Sequence, residues 1–308
     1  MKTKLSKKVI TILIGVIVVM GVFGVGALHM FRQINEEKSF TMKEINEIQV
    51  SMSNVPVHII RTEAGNEVKF HLYGKSMQDI KLSAEINNKT VFVEAKRKID
   101  GPIPEDMFFE IYLPAEYGKN LSVKTSAGGI KMDTVDLANF TLDTSSGGLE
   151  AEQINAEKIS IKASSGRLNI KKIDAKEFEI KGSSSAINID ECTVKEGKIE
   201  TSSGGISLKN SSGNYDFKGT AANVFVAYRK FEDQNINIVT TSGSITLELP
   251  STSEFSINAK TVTGKIQSDF SMDTAGRVDK KNLEGQIGTK NNKVSLQAST
   301  GSIKILKK

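Results

Sequence analysis

Cysteine and histidine are nearly absent from this chain: Cys192 stands alone, and only three histidines occur among 308 residues. A single cysteine excludes an intramolecular disulfide. A domain outside the cytoplasm must then rely on its core and its backbone pairing. His29, His58 and His71 are scattered, and no His/Cys spacing suggests zinc. Acid is missing from one stretch. Residues 1–32 hold five of the 41 basic residues and no acid, which leaves 36 basic against 36 acidic residues elsewhere. The net charge of +5 therefore belongs to the N-terminal segment. The neutral remainder argues against a phosphate-binding surface, and nucleic acid is not an expected partner.

The N-terminal segment reads as a membrane anchor. Lys2, Lys4, Lys7 and Lys8 precede an uncharged run over residues 9–28, with Thr11 its one hydroxyl residue. About twenty apolar residues, rising 1.5 Å each as a helix, span a hydrocarbon core of roughly 30 Å. Positive residues stay on the cytoplasmic side. Residues 1–8 are thus expected as a cytoplasmic tail, 9–30 as a single transmembrane helix and 31–39 as a short polar linker. The rest is expected outside the cell membrane. The rival is a cleaved signal peptide, whose apolar region is usually about 7–15 residues. The run here is longer, although Val25 and Ala27 form a weak cleavage pattern. No cysteine lies near enough to carry a lipid.

Beyond residue 120 the chain repeats itself every nineteen residues. Apolar residues align in columns: Val123, Leu142, Ile161, Ile180, Ile199; then Ile130, Leu149, Leu168, Ile187, Ile206; then Met132, Ala151, Ile170, Ile189, Leu208; and Val135, Ile154, Ile173, Cys192. Small residues keep their own column at Thr125, Thr144, Ala163, Gly182 and Thr201. Within each block apolar and polar residues alternate, the period of a half-buried strand, and no space remains for a helix. The expected fold is all-β: a single-stranded β-solenoid of about 19-residue coils, stacked at roughly 4.8 Å. Ser-Ser-Gly-Gly segments at 145–148 and 202–205 mark its corners. Degenerate coils follow at 217–226, 238–247, 257–266 and 296–305, with a polar insertion over 268–293. The solenoid region is 119–308. Residues 40–118 form a β-rich N-terminal part, with strands expected around 55–60, 68–72, 91–93 and 108–114. Ile303 to Leu306 is expected to be the terminal strand, its edge guarded by Lys304, Lys307 and Lys308.

The runs NVPVHIIRTEAGNEVKFHLYG, TVFVEAKRK and FFEIYLPAEYGKNLSVKTSAGGIKMD resemble the putative-adhesin β-strand repeat domain of bacterial envelope proteins. LiaG-like proteins are its membrane-anchored members. The resemblance spans most of residues 40–308. It implies a β-solenoid at the cell envelope, linked in some members to envelope stress, and supplies no catalytic residues. Two coils depart from its pattern: Ser183-Ser184-Ser185-Ala186 and Thr220-Ala221-Ala222-Asn223 lack the corner glycine.

No catalytic, cofactor-binding or metal-ligating residue is assigned, and an enzyme is not expected. Glu152, Lys171, Asp190 and Lys209 form one column of alternating sign, and Lys124, Asp143, Lys162, Lys181 and Glu200 a mixed one. Solvated ion-pair ladders explain both. Asp133 beside Glu152 is the nearest approach to a glycosidase carboxylate pair. His58 and His71 are expected on strands, facing solvent. Ser145, Ser146, Ser202 and Ser203 read as turn residues, since no base recurs with them. Cys192 belongs to an apolar column and reads as core. The double glycines precede neither a helix nor a Lys-Ser/Thr pair, so they form no phosphate loop. Three functions remain open. The first is a binding or adhesion module for cell-wall polysaccharide or an envelope protein. The second is a structural or signalling part of an envelope-stress system. The third is a polysaccharide-acting enzyme.

Overall fold

The computed structural model describes residues 31–63, 65–97, 105–273, 279–289 and 292–308. The expected cytoplasmic tail and transmembrane helix, residues 1–8 and 9–30, lie outside the described residues. Among those described, no helix is long and apolar enough to cross a membrane. The regular structure of the described residues is β throughout, apart from one 3-10 turn at Met42–Glu44.

The nineteen-residue register is realised in hydrogen bonds. Leu149 pairs in parallel with Ile130, and Ile161 with Leu142. One continuous β path, Leu149–Tyr228, winds through the middle of the molecule. Its alternating residues point inward, so Leu149, Leu168, Ile187 and Ile206 stack in one buried column. A single hydrophobic cluster runs from Ile34 to Ile305. Cys192 is wholly buried in it, and burial pushes its thiol up to about 12. On the outside, Lys171 bonds Glu152 at 2.6 Å and Lys209 bonds Asp190 at 3.0 Å, each one coil away. The second charged column behaves differently. Lys181 and Glu200 pair along their own strands, with Glu179 at 2.8 Å and Lys198 at 3.0 Å.

The corners follow a rule that the repeat pattern only hinted at. The threonines and the alanine of the small-residue column are buried, and the threonines close the corner. Thr144 Oγ1 donates to the Gly147 carbonyl at 3.1 Å, and Thr125 Oγ1 to that of Gly128 at 3.3 Å. A Cβ on Gly147 would lie 3.0 Å from Thr144 Oγ1. In the coil without a corner glycine the arrangement is reversed. Gly182 takes the threonine position, and buried Ser185 turns inward to donate to the Ala163 carbonyl at 3.0 Å. Gly219 and buried Ala222 repeat the reversal. Each corner thus has space for one small side chain, supplied from either of two positions three residues apart.

Both ends of the solenoid depart from chain order. The last strands, Lys293–Thr300 and Ile303–Lys307, sit between two earlier coils. On one side they pair with Asn235–Ser242 and Ile245–Leu249. On the other they pair with Phe255–Thr263 and Ile266–Ser268. Ile303–Lys307 is therefore not a terminal edge, which corrects the expectation above. A strand has two hydrogen-bonding edges, and both of these are occupied. The outermost coil at this end is Phe255–Thr263 with Ile266–Ser268. It is covered by Asn282–Ile287, an antiparallel strand inside the 268–293 insertion. The N-terminal end mirrors this. Glu47–Met52 lies between Thr90–Arg97 and Asn120–Thr125. Val57–Thr62 lies between Glu105–Pro114 and Ile130–Thr144. Residues 31–39, expected as a linker, contribute to the strand Arg32–Thr41, paired residue by residue with Glu67–Ser76.

Candidate functional site

The inserted N-terminal coil brings together side chains far apart in sequence. Across adjacent strands the register aligns Glu37 with His71, His71 with Glu110, Glu110 with His58, His58 with Lys131, and Lys131 with Glu150. These residues form a row of mixed acidic and basic groups along the rod axis. A neighbouring row holds Tyr73 and Phe108, which are paired in the sheet. Pro56, Gly129 and Gly148 continue it, as the backbone bonds from Phe109 to Pro56, Val57 to Gly129 and Ile130 to Gly148 require.

The rings at one end are stacked. His71 lies 4.6 Å from Tyr73, and Tyr73 lies 5.6 Å from Phe108, both at 26° between planes. The stack is pinned from below. Glu110 accepts from Tyr73 at 2.9 Å and from Tyr112 at 2.7 Å. His71 Nε2 meets Asn35 Oδ1 at 2.7 Å, and its Nδ1 lies 3.7 Å from Glu110. Burial works to raise the Glu110 carboxyl. The two phenol hydrogen bonds and the facing His71 and His58 outweigh it and hold the group below the ordinary glutamate range. The same carboxylate, which favours the neutral phenol, pushes Tyr112 up to about 12 and raises Tyr73.

Beside this stack lies an open groove of about 700 Å³. Its floor is lowered at Gly129 and Gly148, and its rim carries Lys131, Glu150 and Arg167. Phe108 is 42 % exposed, a large apolar face left in water at the groove's end. The arrangement can stack a flat partner and offer it donors and acceptors. Among the described residues no group of His, Cys, Asp and Glu could hold a metal ion.

The histidines expected on strands are there, on Val57–Thr62 and Glu67–Ser76. Each is only partly exposed and faces a carboxylate: His58 lies 3.7 Å from Asp133, and His71 the same distance from Glu110. Asp133 and Glu152 do not form a carboxylate pair. Asp133 turns to His58 and to the Arg61 amide, while Glu152 holds Lys171. The corner serines act as turn residues: Ser146, Ser165 and Ser203 donate to carbonyls of the preceding coil. Sequence reasoning missed Tyr73, Phe108 and Glu110. Their strands pair at offsets that are not multiples of the repeat. The available signal was aromatic and charged residues on the polar phase of alternating strands.

Comparison with known proteins places this architecture. A family model described as Toastrack DUF4097 matches residues 45–306. Among solved structures, a putative adhesin from Parabacteroides distasonis ATCC 8503 is 14% identical with a TM-score of 0.51. It covers 89% of this chain and 97% of its own. A putative lipid binding protein from the same organism is 13% identical with a TM-score of 0.51, covering 88% and 96%. At such identities the likeness is one of fold. No curated protein matches in sequence.

Proposed function

From the premise that this chain belongs to the Toastrack DUF4097 family, we propose that it is a non-enzymatic binding or adhesion module of the cell envelope. In this reading it is LiaG-like, a single-pass membrane protein anchored by residues 9–30. Its N-terminus is cytoplasmic and the solenoid is extracellular. The partner is a component of the envelope, cell-wall polysaccharide or a surface protein. One observation carries the reading: the His71–Tyr73–Phe108 stack, held rigid by Glu110, presents an exposed ring to an open groove. Isolated apolar residues on a surface need no explanation, but an exposed ring within a convergent polar pocket is a binding feature. The structural relatives described as an adhesin and as a lipid binding protein are in keeping with this. The lysine-flanked apolar run supports the topology.

The test uses the full chain in living cells. Protease added to wall-stripped cells should degrade the solenoid, and crosslinking in intact cells should trap it on wall material or a surface protein. A protected solenoid refutes the topology. A product released into the medium and starting near Leu28 refutes the anchor. An exposed solenoid that crosslinks only to other membrane proteins through residues 1–32 favours a signalling component instead.

A further inference from the structure

We infer that the groove beginning at Phe108 is the binding site for a neutral, linear polysaccharide lying along the solenoid axis. This rests on the binding reading above and adds the site and the ligand class.

Shape is the first argument. The lining residues Tyr73, Phe108, His58, Lys131, Glu150 and Arg167 come from six neighbouring strands or coils. At about 4.8 Å between strands, the groove runs roughly 24 Å along the rod. A compact ligand would leave most of it empty, whereas an extended polymer matches its length. The floor stays clear because Gly129 carries no side chain. A Cβ there would meet no atom within 4 Å, so the space above it is open.

Charge comes next. The rim mixes acids and bases in one row, with His58 and Lys131 between Glu110 and Glu150. Arg167 lies beside them. No stripe of one sign exists to attract a polyanion or a polycation. A neutral ligand rich in hydroxyls can use both the acceptors and the donors of such a row, because each hydroxyl both donates and accepts.

The backbone decides against a peptide. Extended peptides usually gain affinity by adding a strand to a free sheet edge. Here every floor strand is already paired on both sides, so no edge is offered: Glu105–Pro114 lies between Glu67–Ser76 and Val57–Thr62, which in turn pairs with Ile130–Thr144. What the groove does offer is an exposed aromatic face and side-chain hydrogen bonds. A sugar ring fits that combination, having an apolar face of C–H groups and a polar edge of hydroxyls.

The experiment is calorimetric titration of the full chain in lipid nanodiscs. The probes are chitopentaose and cellopentaose, with poly(glycerol phosphate) and an unstructured neutral peptide as the other arms. At least one neutral oligosaccharide should bind. Phe108→Ala and Gly129→Leu should each weaken it tenfold or more. Gly205→Leu occupies the equivalent corner further along the rod, where a Cβ also meets nothing, and should bind as the parent does. Thermal midpoints of all three variants should match the parent, which separates a blocked groove from a damaged fold. The inference is overturned if neither neutral oligosaccharide binds, if binding survives Gly129→Leu, or if the polyanion or the peptide binds more tightly at the groove. If crosslinking to the envelope persists in Gly129→Leu cells, the site is wrong and the binding reading stands. If the parent itself shows no envelope crosslink, that reading fails.

Discussion

At the scale of single residues, Glu110 organises the candidate site. It takes two phenol donors and sits between two imidazoles on the rim of the groove. Glu110→Gln keeps its volume but replaces one acceptor with a donor, leaving a tyrosine hydroxyl without an acceptor. The expected cost is about 1–3 kcal/mol. The sign of its pH dependence follows from linkage. The folded state holds this carboxyl below its unfolded value of about 4.3, so the stabilisation is complete above that value. It is lost as pH falls through the folded pKa. The difference in unfolding free energy between parent and Glu110→Gln should narrow as the solution is taken below about pH 5. Alkaline titration gives a second readout. The chain has no tryptophan and five tyrosines. All five are raised: Tyr73 and Tyr112 chiefly by the bond to Glu110, and Tyr117, Tyr215 and Tyr228 chiefly by burial. Phenolate absorbance of the native parent should therefore appear late, beyond the usual tyrosine range. In Glu110→Gln two of the five should ionise earlier. A parent that titrates near pH 10, the ordinary tyrosine value, would show that the carboxylate bonds are not formed.

At the scale of the element, the coil is the unit, and its corner carries a packing rule that can be broken and repaired. Gly182→Thr alone puts γ atoms against Ser185, whose Cβ already lies 3.4 Å from a Cβ built at 182. Overpacking of this kind costs about 1–3 kcal/mol. Adding Ser185→Gly converts the corner to the Thr144–Gly147 arrangement. The double variant should be more stable than Gly182→Thr, a coupling that denaturant melts of all three proteins will measure. Equal losses in the single and double variants would show that the two positions do not share one space. The faces of the coil differ in the same quantitative way. Leu149 and Ile187 have no exposed surface, and alanine at either should cost about 2–5 kcal/mol. Lys171 meets Glu152 in solvent, and its replacement by alanine should cost less than about 1 kcal/mol. Equal losses on the two faces would contradict the nineteen-residue register.

At the scale of the whole molecule, two sets of strands, 47–62 and 293–307, are tucked one coil inward. An ordinary solenoid is nearly one-dimensional, and shortening it removes only its last repeat. Here the final strands hold two other coils together. In hydrogen-exchange measurements, deleting residues 293–308 should therefore abolish amide protection throughout 255–268 and weaken it in 235–249, which keeps one paired edge, while the 130–208 coils keep theirs. Loss confined to the newly exposed end would argue against the tucked arrangement. The C-terminal lysines have a smaller role than an edge guard. Lys307 lies 5.2 Å over the Phe270 ring, and Lys308 donates to Asn210 at 3.0 Å. Serine at 304, 307 and 308 should leave the rod as dispersed in light scattering as the parent. The edges that face outward at the other end are Arg32–Thr41 and Ile80–Asn87, each with one partner strand among the described residues.

The nineteen-residue period, the inward columns, the buried Cys192 and the Lys171–Glu152 ladder were legible in the sequence. Each is a local or a strictly periodic feature: side-chain direction alternates by two, and neighbours along the axis recur at one spacing. Tertiary structure alone decided the rest. The reversed corner at Gly182 and Ser185 was visible as a missing glycine, but its remedy depends on which Cβ points inward. Which coil lies outermost cannot follow from order along the chain, because hydrogen bonding accepts any strand of matching length at a free edge. The strands 47–62 and 293–307 each entered between two others. That choice puts His58 against Glu110 and brings Phe108 and Gly129 into one row along the groove. The candidate site is a product of strand insertion, and no period in the sequence records it.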